Sequence, residues 1–134
     1  MTLRDNERAM AGGMATMDDV IHDTDVVQVV NELWAAGAEA ISVNGLRVSP
    51  RTSFRCVGPT ILVDNQKISS PVRIRAIGDA DTLIGALNMP GGALAMLRES
   101  DPNMVVIEKV ERHRLPAFAG STANRFMKNA EASP

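Results

Sequence analysis

The sequence predicts an α+β fold: one antiparallel sheet with two helices packed on one face and an inserted β-hairpin region. Three observations lead there. Residues 24–36 and 79–97 carry apolar side chains at helical spacing. Val72, Ile74 and Ala76 alternate with Arg73 and Arg75, the pattern of a strand with one packed and one wet face. Between these stretches, short β-like runs are cut by Asn44-Gly45, Gly58-Pro59 and Asp64-Asn65, dipeptides that favour turns. A chain of 134 residues accommodates one such core, so residues 1–134 are read as a single domain with a tail over 119–134.

Taken in order, Met1 to Asp5 is a short first strand, and Asn6 to Thr16, small and Gly-containing, reads as a loop. Asp18, Asp19, Asp23 and Asp25 lead into a helix that starts near Thr24, because side-chain oxygens satisfy the free N–H groups of a helix start. Val26, Val29, Val30 and Leu33 form its apolar stripe, Val27 and Trp34 widen it, and Gly37 stops it. Ile41 and Val43, then Leu46 and Val48, flank Asn44-Gly45 as a hairpin. The runs RTSFRCV and TILV and the residues Gln66 to Ile68 add further short strands before the strand beginning at Val72. Asp79 or Asp81 caps the next helix, which the Met89-Pro90-Gly91-Gly92 break divides in two. Met104 to Val110 is a β-branched strand, and one helical turn is expected around Asn124 to Asn129. Strand, helix, strand, hairpins, strand, helix, strand makes two βαβ halves, which is the ferredoxin-like, or α/β plait, arrangement.

Composition removes several function classes. With no Tyr, one Trp and three Phe, there is little material for a platform that stacks bases or sugars. The net charge of −2 argues against general nucleic-acid binding. Cys56 is the only cysteine, which forbids an intramolecular disulfide and a cysteine-based zinc site. No run approaches the roughly 18 to 20 apolar residues of a membrane span.

The search for chemistry gives no catalytic constellation. His22 and His113 are the candidate bases for a Ser-His-acid triad, but no serine stands in a G-x-S-x-G elbow. The carboxylates of Asp18, Asp19, Asp23 and Asp25 with His22 offer oxygen ligands without the order of a calcium loop; favourable interaction with a helix start is their simpler role. Pro90-Gly91-Gly92 resembles part of an anion-cradling turn, yet neither glycine-rich phosphate motif is present. No cofactor, metal or enzymatic activity is therefore expected.

Charge distribution is more informative. Residues 39–78 hold Arg47, Arg51, Arg55, Lys67, Arg73 and Arg75 against Glu39 and Asp64, whereas residues 1–25 hold six carboxylates against Arg4 and Arg8. Opposed charge of this kind steers an acidic partner, an anionic surface or a second copy of the chain. The plainer reading is a solvated sheet face whose arginines resist edge-to-edge aggregation. Arg47, Arg51, Arg55, Arg73 and Arg75 are the candidate partner contacts.

The runs VVNELWAAGAEAISVNG, RTSFRCVGPTILVDNQ, SSPVRIRAIGDADTLIGALNMPGGALAMLRES and MVVIEKVERHRLPAF resemble a bacterial family catalogued as domain of unknown function 881. The similarity covers residues 24–118, and AGAEAISVNG and SPVRIRAIGD are its most specific marks. That resemblance implies a transmembrane helix and a coiled coil ahead of the domain, an α/β plait fold, and a position at the bacterial cell membrane on the extracytoplasmic side. It also implies a link to cell division or wall assembly, and supplies no catalytic residues. The expected function is thus an interaction domain of the cell envelope that binds a protein partner or itself, no nucleic acid, and a membrane only through an anchor outside this sequence. The alternative is a small-molecule or anion-binding regulatory domain with a site near Pro90-Gly91-Gly92.

Overall fold

Val26, Val29, Val30 and Leu33 recur on one side of a helical turn, and all four are buried in the core of the computed structural model, which describes residues 1–110. Their helix, α2 (Asp23–Ala35), lies against strands drawn from both halves of the sequence. In chain order the elements are β1 (Thr2–Leu3), α1 (Glu7–Ala11), α2, β2 (Ala40–Val43), β3 (Leu46–Val48), β4 (Phe54–Val57), β5 (Thr60–Val63), β6 (Gln66–Ile68), β7 (Val72–Ile77), α3 (Ala80–Leu87), α4 (Ala93–Ser100) and β8 (Val105–Val106). Short 3₁₀ turns at Met17–Asp19 and Pro102–Met104 precede α2 and β8.

The strands form two antiparallel sheets, giving a mixed α+β architecture. The larger has the order β3-β2-β7-β1-β8 and the smaller β4-β5-β6. Registers set the faces: Ile41 pairs with Ala76 and Val48, Val43 with Ile74 and Leu46, and Leu3 with Val72 and Val105. These pairs supply the packed face, because residues opposite one another across a ladder point the same way. Asn44 and Gly45 adopt the positive φ angles of 47° and 79° that a two-residue hairpin turn requires, which fixes the β2–β3 register.

Three sequence expectations need correction. Residues 54–68 are not hairpins appended to one sheet: they form a second sheet whose Ile61, Val63 and Ile68 join the common core, with β4 packed beside α2. Asn6 to Thr16 is not wholly loop. Asn6 caps α1 by accepting the Ala9 N–H at 3.2 Å, and its amide donates to Asp19 Oδ1 at 2.8 Å, so a cap and a long-range bond stabilise a helix that periodicity does not reveal. Asp19, half-buried, has its carboxyl held below the usual range by the Thr16 N–H first and the Asn6 amide second. Finally, the strand expected over Met104 to Val110 is limited to Val105–Val106, since its neighbour β1 is two residues long. The helical turn expected at Asn124 to Asn129 lies outside the described residues.

The break between α3 and α4 has a packing reason. Glu32, on α2, accepts the Ala93 N–H through Oε1 at 3.1 Å, so α2 supplies the cap for α4. Gly92 makes the approach feasible: a Cβ there would lie 3.1 Å from Glu32 Oε1 and 3.2 Å from the Met89 carbonyl oxygen. Gly92→Ala is therefore expected to loosen the α2–α4 contact and cost about 1 kcal/mol, read as a lower urea midpoint with unchanged slope.

Candidate interaction surface

The face of the large sheet opposite the packed one is built by the same registers. Ser42 pairs with Arg47 on β3 and with Arg75 on β7, and Thr2 pairs with Arg73 on β7 and Val106 on β8. Arg47, Ser42 and Arg75 thus form a row across three strands, with Arg73 two residues along β7. Arg73 and Arg75 are exposed, while Ser42 between the flanking arginines is 1% exposed. Long guanidinium side chains cover such small residues with their aliphatic stems and keep the charge in water.

Asn44 gives the row a wall. Its N–H donates to the Arg73 carbonyl at 2.8 Å, and its Oδ1 accepts the Arg73 N–H at 2.6 Å. Asn44, Gly45, Pro71, Arg73 and Arg75 line a hollow of about 360 Å³ on this face. The sequence marked Asn44 only as a turn former; its second role appears once β2 and β7 are adjacent.

The five candidate arginines divide into two groups. Arg47, Arg73 and Arg75 share the open face of the large sheet. Arg51 lies in the link after β3, its N–H donating to Ser49 Oγ at 3.2 Å, and Arg55 lies on β4, opposite Leu62, on the outer side of the small sheet with Lys67. No ladder joins the two sheets.

The other candidates have local roles. His22 opens α2, its N–H donating to Asp25 Oδ2 at 2.8 Å; His113 lies outside the described residues. Among the described residues, no three His, Cys, Asp or Glu side chains converge as a metal group would require. Asp79 caps α3, its carboxyl held below the usual range by the Thr82 hydroxyl and then the Thr82 N–H. At the Pro90-Gly91-Gly92 turn, the α4 N–H that an anion would seek is taken by Glu32.

Cys56 and Asp23 form a reciprocal clasp between β4 and α2. The Asp23 N–H donates to Cys56 Sγ at 3.2 Å, and the Cys56 N–H donates to Asp23 Oδ2 at 3.0 Å. Burial pushes the thiol pKa up; the Asp23 N–H opposes this, and the carboxylates of Asp23 and Asp25 reinforce it. Because the thiolate is the reactive form, alkylation by iodoacetamide at pH 8 should be severalfold slower than for an unhindered thiol. Asp23→Asn is expected to speed it, as followed by intact mass.

The model of a family described as bacterial protein of unknown function, DUF881, matches residues 1–128. The chain belongs to this family. It is 40% identical over 78 residues to UPF0749 protein YlxW of Bacillus subtilis, covering 58% of this chain and 34% of that protein. It is also 40% identical over 102 residues to UPF0749 protein Rv1825 of Mycobacterium tuberculosis, covering 71% of this chain and 35% of the relative. The chain therefore spans about a third of the length of these relatives. A crystal structure of an uncharacterized conserved protein from Mycobacterium tuberculosis superposes with a TM-score of 0.58 at 38% identity, over 63% of this chain and 62% of that one. Among the described residues, no helix is long and apolar enough to cross a membrane.

Proposed function

We propose that this DUF881 domain is a non-enzymatic interaction module of the bacterial cell envelope, acting in cell division or wall assembly on the extracytoplasmic side of the membrane. Its partner is an acidic protein surface or a second copy of the chain. The observation that carries this reading is the open sheet face on which Arg73 and Arg75 stand exposed beside the Ser42 row. Sheet faces bearing one sign of charge accelerate and orient association with the opposite sign. The acidic segment over residues 1–25 offers such a surface on another copy.

The same proposal takes the large sheet as a ferredoxin-like plait. Strand order β2-β7-β1-β8, with α2 in the β1–β2 connection and α3 and α4 in the β7–β8 connection, supports it. On this reading β3 and the small sheet are additions between the two βαβ halves.

Light scattering over a concentration series at low and high salt tests self-association. A dimer that dissociates with salt supports pairing through the arginine face, because solvent-exposed charges are screened over about 8 Å at physiological ionic strength. A monomer throughout directs the proposal to a different acidic protein. A second reading, an anion-binding regulatory site, is favoured by the hollow between Asn44, Pro71, Arg73 and Arg75. Thermal shift against phosphates, nucleotides and wall precursors separates the two, since a ligand at a hundred times its Kd stabilises by about 2.7 kcal/mol.

A further inference from the structure

Residues 6–19 close on themselves between β1 and α2. The Asn6 N–H donates to the Asp19 carbonyl at 2.8 Å and the Asn6 amide donates to Asp19 Oδ1 at 2.8 Å, so two hydrogen bonds join the ends of the loop. Asp19 Oδ2 accepts the Thr16 N–H at 2.9 Å, which commits this carboxylate to holding the loop shut. Compact loops with touching ends are ordinarily packed by their own side chains and often carry function. Here α1 and the 3₁₀ turn at Met17–Asp19 bury none of their residues. Among the described residues, no side chain between Leu3 and Ile21 joins the hydrophobic core.

What the loop presents is sulfur. In the run NERAMAGGMATMDD the large apolar side chains are Met10, Met14 and Met17, exposed by 50%, 80% and 72%. Burial gives no reason for them, since an apolar side chain stabilises a fold by leaving water. Only alanine, glycine and threonine stand between them, so nothing bulky separates one thioether from the next. The Gly13 N–H donates to the Met10 carbonyl at 3.2 Å and the Met14 N–H to the Ala9 carbonyl at 3.0 Å, the paired bonds of a helix end that doubles back. Gly13 makes this turn at a φ of 67°, and a Cβ there would meet nothing within 4 Å, so the turn borders open space.

That turn holds the Met14 Cα within about 11 Å of the Met10 Cα, and Met17, three residues on, within about 11 Å of Met14. Each sulfur sits at the end of an unbranched, freely rotating side chain, so the three can converge on one point without moving the backbone.

We propose that Met10, Met14 and Met17 form a binding site for one soft monovalent cation of the Cu⁺ and Ag⁺ kind, held by three thioether sulfurs. Soft cations select polarizable sulfur, whereas Ca²⁺ and Mg²⁺ take oxygen ligands and Zn²⁺ takes thiolate, imidazole or carboxylate. Thioethers are neutral, and the carboxylates of Glu7, Asp18 and Asp19, which outnumber Arg8 in the same loop, offset the charge of the ion. A purely apolar docking surface would be served as well by leucine or valine, and the loop has neither. The inference does not depend on the function proposed above.

Silver nitrate titrated in chloride-free buffer into the Cys56→Ser variant tests it. Serine keeps an acceptor for the Asp23 N–H and removes the competing thiol. With methyl-¹³C methionine, the ε-methyl signals of Met10, Met14 and Met17 should shift together and stop shifting at one equivalent of silver. Met10→Leu, Met14→Leu and Met17→Leu should each weaken binding at least about tenfold and leave Tm unchanged, because leucine conserves volume at these exposed positions. Met89→Leu should have no effect on binding. Met89 is as exposed as the loop methionines, but it stands beside the start of α4 that Glu32 caps, whereas the loop leads into the opposite end of α2. Affinity should change less than about twofold between about pH 5.5 and 7.5, since a thioether has no proton to release on binding, unlike a thiol or an imidazolium. Zinc sulfate should leave the three methyl signals in place. Saturation at three equivalents, with each substitution removing one ion, would show three independent thioethers and overturn the proposal. So would equal shifts at Met89, or undiminished silver binding when all three loop methionines are leucine.

Discussion

Arg73→Glu combined with Arg75→Glu should leave the domain folded and weaken its association with itself or an acidic partner by at least about tenfold, with the salt dependence lost or reversed. Both side chains are exposed, and their strand keeps its packed face through Val72 and Ile74. Each reversal changes the charge by two, so the double variant has a net charge of −6 against −2 for the parent. Like charge set against an acidic surface costs several kcal/mol, more than screening removes. The control is Arg51→Glu with Arg55→Glu. It makes the same change in net charge away from the open face of the large sheet, and should weaken association far less. Equal losses in the two double variants would mean that net charge alone drives binding, and the arginine face would have no special role. Light scattering for self-association and surface capture for a partner give the readout.

Leu3→Ala should lower unfolding free energy by about 2–5 kcal/mol, seen as a fall in urea midpoint. Leu3 is fully buried and sits between Val72 on β7 and Val105 on β8. Among the described residues, β8 is held to the sheet through β1 alone, so the substitution removes the packing that fastens two strands. Amide exchange at Val106 should accelerate more than exchange at Ile41, whose strand is paired on both sides by β3 and β7. Trp34, the single tryptophan and half-buried against the core, supplies the fluorescence signal. A loss below about 1 kcal/mol would show that β1 contributes little to holding the sheet.

How far the fold can be read from sequence varies by element. The stripe Val26, Val29, Val30 and Leu33 announces α2 because a helix needs only local spacing and one apolar side. Asn44-Gly45 and Asp64-Asn65 announce their turns because positive φ is costly for other residues, and all four adopt it. α1 escapes a reading based on periodicity because its five residues bury none of their side chains; the signal available was Asn6 as a cap. Among the candidate site residues, Arg73 and Arg75 are legible through alternation with Val72, Ile74 and Ala76. Arg55 alternates just as well, but alternation within a strand says nothing about which sheet the strand joins. The three-residue spacing that makes Gly92 look like an anion turn cannot show that Glu32, sixty residues earlier, fills it.

The sequence by itself determined α2, α3 and α4, the tight turns, the one-faced character of β7 and the surplus of positive charge over residues 39–78, since each depends on neighbours within a few residues. Only the tertiary structure decided that β4, β5 and β6 form their own sheet and that Ser42 carries an arginine on either side. Those features depend on pairing between strands distant in sequence, where register is set by burial of one face and by which backbone groups find partners, and no local pattern encodes which strands will meet.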